Sequence, residues 1–118
     1  MRTMGFQRGV IVHAMPYDAD HRLLIDTLKA NQDRQDIRAI GIIKDSVSDA
    51  ELDLMNSLGV CGARINIGKY YKQDRSSDSV RRSIERTKEL GWHIRLHIAG
   101  PHIMDYGDIF SSIKDVTY

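Results

Sequence analysis

Arg64 and Asn66 sit two residues apart in the run Leu58-Gly59-Val60-Cys61-Gly62-Ala63-Arg64-Ile65-Asn66-Ile67. Alternate side chains of a strand share a face. Gly62, Arg64 and Asn66 are therefore expected on one face, opposite Ala63, Ile65 and Ile67. An arginine on such a strand is a costly buried charge unless an anion meets it. A ligand carboxylate is one partner, because the guanidinium fork binds it through two parallel hydrogen bonds. A carboxylate on a neighbouring strand is the structural alternative. Asn66 is placed to orient a ligand or a loop, or to satisfy backbone at the strand end. In Trp92-His93-Ile94-Arg95-Leu96-His97-Ile98 the same alternation sets His93, Arg95 and His97 against Ile94, Leu96 and Ile98. His97 is thus a candidate polar contact or a neutral core histidine, and His13, ending an earlier apolar run, is a fourth candidate.

Metal chelation is poorly served by the spacing. His93 and His97 share a face, but four strand residues hold their Cα atoms about 13 Å apart. No H-x-H or H-E-x-x-H pattern occurs, so no native metal site is expected and zinc is expected to bind no better than micromolar. Phosphate-loop, dinucleotide, nucleophile-elbow and C-x-x-C motifs are also missing. Lys69-Tyr70-Tyr71-Lys72, after the central strand, is read as a surface loop that could alternatively close over a ligand.

The elements that position these residues follow from periodicity. Apolar strands are expected at 8–14, 37–43, 60–67 and 92–98. Helices are expected from Asp18 or Asp20 to Asn31, from the capping-box signature Ser48–Glu51 to Gly59, over about 78–90, and over about 102–113. The inward stripes read as Leu23, Leu24, Ile25 and Leu28, then Ala50, Leu54 and Leu58, then Val80, Ile84 and Leu90, and last Ile103, Tyr106, Phe110 and Ile113. Four consecutive βα units imply an α/β domain with a parallel sheet and right-handed crossovers. An open parallel α/β sheet and one half of a (β/α)8 barrel both fit; a full barrel takes about 250 residues. The 118 residues suffice for a single domain, 1–118. A net charge of +1 argues against nucleic acid or an acidic membrane as the main partner, and no apolar run approaches a membrane span. The one cysteine, Cys61, excludes an internal disulfide and reads as core packing, so a reduced, cytoplasmic setting is expected.

Several of these segments resemble one family. Val10-Ile11-Val12-His13-Ala14-Met15-Pro16-Tyr17-Asp18-Ala19-Asp20-His21 is similar to the second-strand region of the amidohydrolase-related hydrolases, where Gln commonly stands in the place of His13. Ile40-Gly41-Ile42-Ile43 with Asp49-Ala50-Glu51-Leu52, then Gly59-Val60-Cys61-Gly62-Ala63-Arg64-Ile65-Asn66, then Gly91-Trp92-His93-Ile94-Arg95-Leu96-His97 resemble its G-V-A-V-V and D-A-E-L, G-V-R-G-V-R-F-N and G-W-H-V-Q-x-H segments in order. The resemblance implies part of a (β/α)8 barrel from enzymes that cleave small lactones or related carboxylates. Arg64, Asn66, His97 and His13 would then be substrate-binding. It also implies a divalent metal in many members, yet the family's H-x-H strand, I-D-H strand and late aspartate have no counterpart here. The expected consequence is a partial barrel, inactive alone, that needs no cofactor and self-associates through open sheet edges. Ile11, Ile40 and Ile42 would lie on its uncovered barrel face. A stand-alone α/β module that binds an anion without catalysis is the alternative.

Overall fold

The computed structural model describes residues 2–68 and 76–118, so the expectation for Lys69–Lys72 lies outside the described residues. Four β-branched runs form strands β1 (Gly9–Val12), β2 (Ile37–Ile42), β3 (Val60–Ile67) and β4 (His93–Ile98), paired in parallel in the order β1-β2-β3-β4. Between and after them come helices α1 (Arg22–Ala30), α2 (Asp49–Ser57), α3 (Ser77–Lys88) and α4 (Gly107–Ser112), with 3-10 turns at Met15–Tyr17 and Gly100–Tyr106. Strands adjacent in sequence are adjacent in the sheet, which curls as half of a barrel with the helices on its convex side. Of the two architectures open to the sequence, this is the partial barrel.

Local chemistry sets the element ends. The Ser48 side chain accepts a hydrogen bond from the Glu51 backbone N–H, as an N-cap residue should, and Ser76 does the same for Ser79. Gly59, with φ +105°, turns the chain out of α2 and straight into β3, a conformation that costs any residue with a Cβ. Asp20 is not the N-cap of α1, which starts one residue later than that reading allows. Its carboxylate still accepts from the Arg22 backbone N–H and guanidinium, and that pairing draws its pKa down to about 2.

The core lies between sheet and helices. Ala39 and Ile43 from β2 and its end, Val60, Ala63, Ile65 and Ile67 from β3, and Ile94 from β4 meet Leu24, Leu28, Leu52, Met55, Val80 and Ile84 from the helices. Three inward stripes differ from expectation. Leu23 is 56% exposed, because α1 flanks the β1 edge and no described element covers that side. In α2 the buried pair is Leu52 and Met55, while Ala50 and Leu54 face solvent. Ile103 lies in the 3-10 turn and is exposed; Tyr106, Ile109 and Ile113 carry that stripe.

The barrel face also needs one correction. Register pairs Ile11 with Ala39 and Val12 with Ile40, so Ile11 faces the helices while Val10 and Val12 stand on the concave side. Ile40 and Ile42 do lie on that side, yet both are buried; the exposed apolar residues there are Val10 and Val12. Between β2 and β3 the register slips, Ala39 pairing with Val60 but Ile40 with Gly62, so Cys61 is an extra residue. It is half-buried in this bulge, its Sγ 3.7 Å from the Ala39 carbonyl.

Candidate functional site

The bulge decides which way β3 presents its polar residues. Val60 faces the helices, and so do Ala63, Ile65 and Ile67, three, five and seven positions on. A regular strand would keep the even-numbered residues on the Val60 face. The extra residue at 61 reverses the phase, so Gly62, Arg64 and Asn66 face the concave side. β4 runs beside them in unbroken register, pairing Gly62 with His93, Arg64 with Arg95 and Asn66 with His97. Cα atoms across such a ladder are about 4.8 Å apart. Arg64 and Asn66 with His97 therefore gather at the C-terminal end of the sheet, where barrels of this type carry their sites.

Within this cluster Arg64 Nε donates to Asn66 Oδ1 at 3.0 Å, and Arg64 Nη2 donates to His97 Nδ1. A guanidinium only donates, so Nδ1 of His97 must be the unprotonated nitrogen and the ring is neutral. Burial, then the charges of Arg64 and Arg95, hold the His97 pKa below its ordinary value, in agreement with that bond. Asn66 is fully buried (0% exposed) and its Nδ2 has no hydrogen-bond partner among the described residues. A buried amide N–H left unpaired costs about 1–3 kcal/mol.

The strands contribute no Asp or Glu to the concave face, whose polar positions are Arg38, Arg64, Asn66, His93, Arg95 and His97. The ion pair offered as an alternative for Arg64 is not formed among the described residues. Arg95 joins the site from β4 as the exposed register partner of Arg64. It was legible as a barrel-facing residue, but only the pairing register shows which arginine it stands beside.

His13 does not join this group. It follows β1 on the helix side, buried, with its ring 4.7 Å from that of His21 and 6.0 Å from that of Tyr17. The reason is strand phase: Val12 faces the concave side, so the next residue turns under α1. His21, 1% exposed, places Nδ1 3.1 Å from Glu51 Oε1. Burial, then the charge of His21, lowers the pKa of His13. The His21–Glu51 pair went unnoticed in the sequence because its members are thirty residues apart.

A curled sheet of four parallel βα units with a polar cluster at the strand C-termini is the architecture of one side of a (β/α)8 barrel. The sequence matches the amidohydrolase family over residues 1–118, and the chain belongs to that family. A 2-pyrone-4,6-dicarboxylate hydrolase of Comamonas testosteroni is 30% identical over 110 residues, covering 93% of this chain and 35% of the relative. A structure from Pseudomonas putida described as a 2-pyrone-4,6-dicarboxylic acid hydrolase aligns at TM-score 0.71 and 30% identity, over 93% of this chain and 40% of that one. A protein of Acinetobacter baumannii aligns at TM-score 0.75 and 15% identity, over 94% and 41% of the two chains, and bears on the fold alone. The chain thus spans about a third of the length of the curated relative.

The metal that the family resemblance implies does not fit the residues in hand. No H-x-H pair is encoded, and no three His, Cys, Asp or Glu side chains converge among the described residues.

Proposed function

We propose that this segment supplies the carboxylate-recognising wall of a hydrolase acting on small lactones or related carboxylates. The buried, unpartnered Nδ2 of Asn66 beside Arg64 carries the reading. Asn66 and His97 together fix the guanidinium by Nε and Nη2. Nη1 of Arg64 and Nδ2 of Asn66 then donate to a ligand carboxylate, a charge-assisted arrangement about twice as strong as neutral hydrogen bonds. Arg95, one strand across, meets a second carboxylate where there is one. The name of the Comamonas testosteroni relative supports a dicarboxylate lactone as the type of substrate. Water activation falls outside this segment, which accordingly binds without turnover when alone. The β1 and β4 edges and the exposed Val10 and Val12 favour association of the isolated chain.

The test is a thermal melt of the 118-residue chain with 2-pyrone-4,6-dicarboxylate. At 100 times Kd the stabilisation is about 2.7 kcal/mol. A chain of this length loses roughly 4 °C per kcal/mol, so a shift of about 11 °C is expected. Arg64→Met should abolish it, and an unchanged shift in that variant overturns the reading. Sedimentation velocity should show dimers or larger species; a monomer with a cooperative melt would support the stand-alone anion-binding module instead.

A further inference from the structure

His97 and Asn66 do more than hold Arg64; they also occupy donors that an anion would use. Nε of Arg64 donates to Asn66 Oδ1, and Nη2 donates to His97 Nδ1. A carboxylate is gripped by two parallel N–H groups of a guanidinium. Nη2 belongs to both possible forks, with Nε on one side and Nη1 on the other, and part of its capacity goes to His97. Nδ1 of His97 holds either that N–H or a proton of its own, never both, because a guanidinium only donates. Protonation at Nδ1 therefore releases Nη2 and sets a new N–H donor and a second positive charge beside it. In the empty site that puts two cations together on a face to which the strands bring no Asp or Glu. A carboxylate between them meets both charges. Among the described residues, the other charged or titratable groups around His97 are His93 and Arg95 on β4, Arg38 on β2, and His102 and Asp105 in the turn after β4. The last two pair with each other at 3.4 Å.

We propose that His97 is a proton-linked control on the carboxylate site, so that a dicarboxylate and a proton bind cooperatively and affinity rises on acidification. This control rests on Arg64 being the carboxylate receptor. Burial, then the charges of Arg64 and Arg95, hold the His97 pKa below its ordinary value in the empty site. A carboxylate at Arg64 offsets that charge and gives the Nδ1–H an acceptor, so the bound-state pKa is higher than the free one. Coupling is reciprocal: the factor by which ligand favours the proton is the factor by which the proton favours ligand. The sign follows. Above the bound-state pKa the ring is neutral in both states and affinity does not vary with pH. Between the two values binding takes up as much as one proton, and affinity gains up to about tenfold per pH unit. Below the free-state value it levels off.

The experiment is calorimetric titration of 2-pyrone-4,6-dicarboxylate into the 118-residue chain from pH 8 to pH 5.5. Each pH is run in two buffers of different ionisation heat, which counts the protons taken up. Kd should fall about threefold or more across the range, with net proton uptake between its ends. His97→Gln should abolish the pH dependence, whatever affinity it retains. His93→Gln, about 13 Å away along β4, should keep the wild-type slope. Imidazole NMR supplies a second readout: ligand should raise the His97 pKa, and so should Arg64→Met in the ligand-free chain. Circular dichroism checks the fold of every variant; should His97→Gln unfold, the NMR titration of the wild-type ring decides. Binding with a flat pH profile, or with a slope that survives in folded His97→Gln, overturns the proposal and leaves the carboxylate reading standing. A His97 pKa that ligand does not move does the same. Absence of binding at every pH removes both.

Discussion

Adding one methyl group at Gly41 should destabilise the domain measurably, and a second substitution should say why. The built Cβ comes within 2.7 Å of Met55 Cε and 3.2 Å of His21 Nε2. Met55 is wholly buried and His21 is tied to Glu51, so neither can move without disturbing the layer between α2 and the sheet. Overpacking of this kind costs about 1–3 kcal/mol. Replacing glycine also restricts the unfolded chain, which returns about 0.4–1 kcal/mol. The difference leaves Gly41→Ala destabilised by about 1–2 kcal/mol, or roughly 4–8 °C in melting temperature for a domain of this length. Thermal melts followed by circular dichroism read this directly. Met55→Ala removes the nearer obstacle while opening a cavity of its own. In that background Gly41→Ala should be neutral or stabilising, a coupling that a double-mutant cycle isolates. Strict additivity, or a single variant as stable as the parent, would refute the packing argument. Gly62 offers a contrast. A Cβ there would come within 2.5 Å of the His93 ring, but that ring is half-buried on the open face and can swing aside, so Gly62→Ala should cost less.

Two further outcomes can be measured on the same chain. His13 has a folded-state pKa below its unfolded value, so below about pH 6.5 the unfolded chain takes up a proton that the folded one refuses. Its contribution to stability is present above that pH and is lost as pH falls toward the folded pKa; urea melts from pH 5 to 8 should show the slope, flattened in His13→Gln. Asn56→Ala removes the acceptor of the Trp92 indole N–H, now 2.8 Å from Asn56 Oδ1, and should cost about 1–3 kcal/mol in melts followed by fluorescence of this single tryptophan.

The sequence was most legible where alternation ran uninterrupted. Arg64, Asn66 and His97 could be placed on one face because β3 after its bulge and β4 are regular strands in register. Helix stripes were harder. In α2 and its C-cap residue, apolar side chains at 50, 52, 54, 55 and 58 support more than one phase, and packing against the sheet selected Leu52 and Met55. Leu23 and Ile11 were misassigned because edge position and strand phase are properties of the assembled sheet. His13 was misplaced for the same reason: one residue past the strand, its direction depends on where pairing stops. The His21–Glu51 contact joins the start of α1 to the first turn of α2, and nothing in either local sequence announces it.

The single extra residue at Cys61 has a consequence for how this chain can vary. Which face Arg64 and Asn66 occupy is recorded in the number of residues between Val60 and Ala63, not in their identity. Substituting the half-buried Cys61 by Ser or Ala leaves that count intact and should leave the Arg64–Asn66–His97 cluster assembled. Deleting it would keep Val60 in the core only by turning both polar side chains into the helix layer and Ile65 and Ile67 out of it. The segment is therefore open to change in composition at this point and closed to change in length, an asymmetry that a deletion and substitution scan across 60–63, read by solubility, would expose.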